Sequence, residues 1–185
     1  MRTSEKLIFA IRHNKYLEDA DRLWNSLRPA YNRLSGVTAR KGLERLINRT
    51  DRVLVGPRWR MVPEEYEPKV WYQLMSEVKP GDVVADVGAY IGLYTIALAK
   101  RVGHAGRVVA FEPDPANFTA LKEHVSLNSL MDRVEPRPEA VGGSTGKVKF
   151  AAHASSESSV MSSGEEPFAA DESMIDCVSL DHVFW

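Results

Sequence analysis

The chain has 185 residues, 44% of them apolar, and 24 basic side chains nearly balance 25 acidic ones. That is enough apolar material for one domain with a core, and it excludes a chain disordered throughout. No apolar run approaches the roughly 20 residues of a membrane span, and the single cysteine, Cys177, excludes both an internal disulfide framework and a cysteine-based zinc site.

The early run Leu7-Ile8-Phe9-Ala10-Ile11 lies between Glu5 and Arg12 and has no small-residue cleavage site after it, so no signal peptide is expected. A reducing, cytoplasmic setting follows as the expectation. Residues 1–60 hold 14 Lys/Arg against 6 Asp/Glu, and the remainder is acidic. The basic residues are spread, with no run of five, which fits solvated helix faces better than a nucleic-acid arm.

In chain order, residues 1–50 read as a helical extension. Leu17, Ala20, Leu23, Trp24, Leu27 and Tyr31 recur at three- and four-residue spacing, and Leu43, Leu46 and Ile47 form the apolar edge of a further short helix. Residues 51–185 form the second expected domain. It opens with a β-hairpin over residues 51–62, broken at Gly56-Pro57. Glu67-Pro68 starts a helix with Val70, Trp71, Leu74, Met75 and Val78 on its apolar face. Lys79-Pro80-Gly81-Asp82 turns the chain.

Residues 82–140 carry the clearest pattern. Val83–Val87 and Arg107–Phe111 are short, nearly all-apolar strands of the kind buried in parallel sheets. A helix over residues 92–102 links them. Asp114-Pro115 caps the next helix, which ends near Asn128. Residues 134–138 form a third strand whose Pro136 and Pro138 restrict it to an edge. Strand–helix–strand–helix–strand with short loops predicts an α/β, Rossmann-like, doubly wound parallel sheet in the order 3-2-1. Beyond it, residues 147–150 and 174–180 read as strands, and residues 154–173, rich in Ser and Glu, as a solvated loop.

The chemistry gathers at Asp86-Val87-Gly88-Ala89-Tyr90-Ile91-Gly92. Glycines between a buried strand and its helix let the backbone turn and approach a ligand. Glu112 ends the second strand, where a carboxylate reaches the two hydroxyls of a ribose. The glycine spacing is not the dinucleotide pattern G-x-G-x-x-G, and the P-loop lysine is missing, which disfavours a nicotinamide dehydrogenase and tight triphosphate binding. Asp86 suits a ligand with positive charge. Its bland alternative is a capping residue, and that of Glu112 a surface carboxylate. Metal ligands do not cluster anywhere in the sequence.

The stretch from Asp86 to Thr95, followed by Ala110-Phe111-Glu112-Pro113-Asp114-Pro115 and Leu127-Asn128, resembles the FkbM family of class I S-adenosylmethionine-dependent methyltransferases. Weaker likenesses lie in Lys79–Asp82 and Val178-Ser179-Leu180-Asp181, so the resemblance spans roughly residues 50–181. It implies S-adenosyl-L-methionine as cofactor and O-methylation of a small-molecule, sugar or glycolipid hydroxyl by direct transfer, with no nucleic acid as partner. It further implies that Gly88, Ala89 and Gly92 line the methionine part, with the Tyr90 ring over the cofactor or narrowing the site, Asp86 near the amino group and Thr95 behind the loop. Glu112 is implied at the ribose, Asn117 on the adenine side, and Glu139-Ala140 near the adenine amino group.

Two departures accompany the resemblance. Tyr90 stands where the family carries Asn, and the family's Lys-Ile-Asp-x-Glu-Gly strand is not in the sequence. The chain is therefore expected to be a form truncated at its C-terminus, with an open edge on its first core strand and self-association through it. A non-catalytic adenosine-ligand or protein-interaction module derived from such an enzyme is the alternative reading. No general base stands out: His153 and His182 qualify by residue type alone, and Glu67 reads more as the cap of its own helix than as a cofactor contact.

Overall fold

The computed structural model describes residues 42–152, 159–160 and 171–185. The helices expected before residue 42 lie outside the described residues, as does His153. Contacts group Lys41–Trp185 into one compact unit.

The unit opens with an antiparallel hairpin, β1 (Leu43–Ile47) and β2 (Asp51–Val55), in the register Leu43↔Val55 to Ile47↔Asp51. This corrects two expectations. Leu43, Leu46 and Ile47 have helical spacing, yet they form a strand because the apolar Val53 and Val55 of β2 offer it a partner. The turn sits at Asn48 and Arg49, both at positive φ, rather than at Gly56-Pro57. Pro57–Trp59 is a 3-10 turn, and Met61 and Val62 are not in a strand.

Helix α1 (Pro68–Glu77) follows, with Trp71 and Met75 buried. Asp51 ties the hairpin to both neighbouring helices. It accepts hydrogen bonds from Trp71 Nε1 at 2.9 Å and from the guanidinium of Arg101 at 2.7 and 3.2 Å. Burial drives this carboxyl up, but the bonds from Arg101, Trp71 and Thr50 outweigh it and hold Asp51 below its ordinary value.

The central layer is the expected parallel sheet: β3 (Val83–Val87), β4 (Arg107–Phe111) and β5 (Val134–Arg137) lie in the order β3-β4-β5. β5 is an edge of this sheet among the described residues, as Pro136 requires, and Pro138 lies just past its end. β3 pairs with β4 alone among the described residues, and Val83 and Val87 stand exposed on it. Helices α2 (Leu93–Val102) and α3 (Pro115–Leu127) make the two crossovers. Asp114 caps α3, accepting from the amides of Ala116 and Asn117 at 2.9 and 3.0 Å.

Alternation along the strands sorts side chains to two faces. Val84, Val108 and Ala110 join the core formed by α1, α2, α3 and the hairpin. Ala85, Val109 and Phe111 point the other way, against Val141, Val178, Leu180, Val183 and Phe184.

A second sheet holds β6 (Ala140–Val141), β7 (Gly146–Ala152), β8 (Ser159–Val160) and β9 (Asp171–Val178) in the order β6-β9-β7-β8. The Ser/Glu-rich stretch expected to be loop therefore contributes a short strand and the start of a long one. Ser179, just after β9, caps α4 (Leu180–Phe184), accepting from the His182 amide, so Leu180 is helical and not the end of a strand. No helix among the described residues is long and apolar enough to cross a membrane.

Candidate ligand-binding site

At the carboxyl ends of β3 and β4 the chain leaves a cavity of about 430 Å³, within the range of small-molecule sites. Its floor is the β3–α2 loop. Gly88 and Ala89 donate their amides to the Phe111 carbonyl at 3.0 and 2.9 Å, folding the loop back over the end of β4. Gly88 lies at φ +77, and a Cβ there would meet nothing within 4 Å. The backbone itself thus faces the open space.

Glu112 is 4% exposed yet lines this cavity. Its Oε2 accepts from the Tyr90 amide at 2.7 Å and its Oε1 from the Asp114 amide at 2.9 Å. The Asn117 side chain is a third hydrogen-bond partner of this carboxylate, and two oxygens with two lone pairs each still leave room for an outside donor. Burial pushes the Glu112 carboxyl up, opposed by those two amides. Asp86 is pushed up by burial too, against the hydrogen bond that its Oδ2 accepts from Thr95 Oγ1 at 2.5 Å.

Of the expected site residues, Asp86, Gly88, Tyr90 and Glu112 meet at the cavity. Thr95, expected behind the loop, is fully buried on α2 and donates its hydroxyl to Asp86. Ala89 and Gly92 lie within the loop, buried or turning, and Asn117 packs beside Glu112 as a hydrogen-bond partner. Glu139 and Ala140 are not among the lining residues. The Glu139 carboxylate pairs with Arg137 at 2.7 Å, which holds it below its ordinary value, and Ala140 is buried in β6.

The opposite wall was barely visible in sequence. Glu67 is the N-cap residue of α1, its carbonyl accepting from the Trp71 amide at 2.9 Å, but its side chain makes no capping hydrogen bond. It sits at φ 42, and its carboxylate instead accepts from the Tyr94 hydroxyl at 3.0 Å and lines the cavity. Tyr66, Val70 and Leu74 complete the wall. Val70 was expected on the packed face of α1. It is 57% exposed because it borders the cavity. His182 lies on α4 and does not line the cavity.

Three carboxylates thus face one space, with no Lys, Arg or His among its lining residues. Such a site favours a cationic ligand and repels a phosphate. S-adenosylmethionine, with its sulfonium, its ammonium and a ribose for Glu112, fits this set of acceptors. Among the described residues no group of His, Cys, Asp and Glu could hold a metal ion.

Comparison with known proteins supports a methyltransferase. Residues 68–156 match the family described as the TRM5/TYW2 methyltransferase domain. Over 60 residues the chain is 43% identical to 31-O-demethyl-FK506 methyltransferase FkbM of Streptomyces tacrolimicus, a match that spans 32% of this chain and 22% of that protein. Among solved structures it is similar to an S-adenosylmethionine-dependent O-methyltransferase from Thermotoga maritima, at 24% identity and TM-score 0.36, covering 50% of this chain and 31% of that one. It is also similar to Methanocaldococcus jannaschii Trm5 in complex with adenosine, at 24% identity and TM-score 0.33, covering 46% and 23%. The α/β, Rossmann-like arrangement expected from the sequence is the one the structure has, and the cofactor of this class is S-adenosylmethionine.

Proposed function

We propose that the chain binds S-adenosylmethionine in the 430 Å³ cavity and serves O-methylation of a small-molecule, sugar or glycolipid hydroxyl, in the manner of FkbM-type methyltransferases. The observation that carries this reading is the buried Glu112, fixed by two loop amides at the end of β4 in a cavity lined by carboxylates and no cation.

When bound, the cofactor supplies a methyl group already activated by the sulfonium, so the protein's work is binding and alignment. Glu112 accepts the ribose hydroxyls. Asp86, held by Thr95, faces the ammonium. Tyr66, Val70 and Leu74 keep water from the apolar side. Glu67, entering from α1 and oriented by the Tyr94 hydroxyl, is the group placed to take a proton from an acceptor hydroxyl.

Calorimetry with S-adenosylhomocysteine, NAD and ATP tests the ligand: the first should bind tightest, and tighter NAD or ATP binding overturns the reading. Glu112→Gln keeps an acceptor for one amide but removes the charge. Affinity should fall by about 1.5–3 kcal/mol for each charge-assisted bond lost. A 2′-deoxy analogue should then lose little more. A variant that discriminates against the deoxy analogue as strongly as the native chain removes Glu112 from the ribose.

A further inference from the structure

Beside the acidic cavity lies a second one of about 220 Å³, of opposite character. Trp59, Met61, Val62, Tyr66 and Tyr90 give it apolar and aromatic walls, and Arg58 is its one charged lining residue. Tyr66 and Tyr90 line both cavities, so the two share a wall.

Its parts are held in place. The Trp59 and Tyr90 rings meet edge to face, centroids 5.6 Å apart. The Arg58 guanidinium lies over the Trp59 ring at 5.8 Å and makes no ion pair among the described residues. Its charge also reaches Tyr90: burial and Glu112 push that phenol up, and Arg58 pulls against them.

The geometry points to a binding site for a small monocyclic aromatic acid that also carries a hydroxyl, seated in the 220 Å³ pocket with its ring among Trp59, Met61 and Tyr90 and its carboxylate on Arg58. This rests on the cofactor reading of the neighbouring cavity and names the acceptor class for it. Size agrees, since an apolar cavity of about 150 Å³ takes up benzene, which leaves room here for a ring with two short substituents. Charge agrees as well. A guanidinium poised over an aromatic face and without an ion-pair partner among the described residues suits a carboxylate, and the three carboxylates next door repel one, which fixes which end of the acid points away from the shared wall. A sugar, polar all round, would find almost nothing to bond on these walls.

Calorimetry on the full chain, with and without S-adenosylhomocysteine, would use 4-hydroxybenzoate, its neutral isostere 4-hydroxybenzamide, cyclohexanol and glucose as probes. 4-Hydroxybenzoate should bind best. Arg58→Met should weaken it about tenfold while changing the amide less than threefold, and Met61→Trp, which fills the pocket from an exposed position, should weaken both ring probes. Neither substitution touches the first cavity, so S-adenosylhomocysteine should bind all variants alike. Equal losses for acid and amide in Arg58→Met, preference for cyclohexanol or glucose, or no probe binding to a chain that does bind S-adenosylhomocysteine, each overturns the assignment. Probe binding that follows this pattern without S-adenosylhomocysteine binding overturns the cofactor reading and supports the aromatic-acid pocket on its own.

Discussion

At Gly92 the backbone turns with φ +86 just before α2, and a Cβ there would come within 2.7 Å of Leu121 Cδ1. Left-handed backbone costs a non-glycine residue roughly 1–2 kcal/mol, and the overlap with α3 adds to that. Gly92→Ala should therefore destabilise the unit by about 2–3 kcal/mol, read as a lower denaturant midpoint with an unchanged slope. Tyr90, in the same loop, holds φ +51 without being glycine. Its contacts with Trp59 and with Glu112 through its amide are what keep it there.

His124 gives the residue scale its pH dependence. The ring is fully buried on α3, its Nδ1 lies 2.7 Å from the Ile91 carbonyl, and burial holds the imidazole below its ordinary 6.5. The unfolded chain accordingly takes up the proton first as pH falls. The stability tied to neutral His124 is complete above about pH 6.5 and is lost progressively below it. Denaturation curves between pH 5 and 8 should show this component in the native chain and lack it in His124→Leu.

Among the elements, the join between the hairpin and α3 depends on one side chain. Asn128 accepts from the Leu54 amide at 3.0 Å and returns its own NH₂ to the Leu54 and His124 carbonyls, both at 2.8 Å. Its amide thus pairs with β2 much as a neighbouring strand would. Asn128→Asp keeps the acceptor but turns the donor into a negative oxygen facing two carbonyls. A loss of about 1–3 kcal/mol is expected, measurable by chemical denaturation, with little change in ligand affinity because Asn128 does not line the cavity.

The β3–α2–β4–α3–β5 elements were legible in sequence because their signals are local: short apolar strands, Asp114-Pro115 at a helix start, prolines that admit only an edge. The first hairpin was not. Three apolar residues at helical spacing and an Arg49 where a turn glycine would have been diagnostic concealed β1 until its partner was seen. For the candidate site, Asp86, Gly88, Tyr90 and Glu112 follow one another closely along two strand ends, so their meeting at one cavity was legible from the strand pattern. Glu67 escaped because its position depends on a left-handed backbone and on Tyr94, a residue of another helix. Glu139 misled because its neighbour Arg137 claims it.

At the scale of the whole unit, the three-stranded central sheet leaves one side of β3 unpaired among the described residues. β3 pairs only with β4 among the described residues, and the exposed Val83 and Val87 stand on it. Its free amides and carbonyls are a template for another strand. Sedimentation velocity on this 185-residue chain should show association that grows with concentration. Val83→Lys, which places a charge on that strand outside the cavity, should shift the distribution toward monomer. A native chain that stays monodisperse across the concentration range would mean that the edge is covered.

The layer that closes the second face of this sheet has a temporal consequence for the nascent polypeptide. Val109 and Phe111 are covered by Val178, Leu180, Val183 and Phe184, which leave the ribosome roughly 70 residues later, or on the order of 3–15 s at common elongation rates. Helices and turns form far faster than that. For those seconds the half-built sheet carries a greasy underside that its own sequence cannot yet hide. A holdase chaperone should therefore bind the newborn chain until those residues emerge, read as co-sedimentation of the chaperone with stalled ribosome–nascent-chain complexes that is weakened by Phe111→Ser.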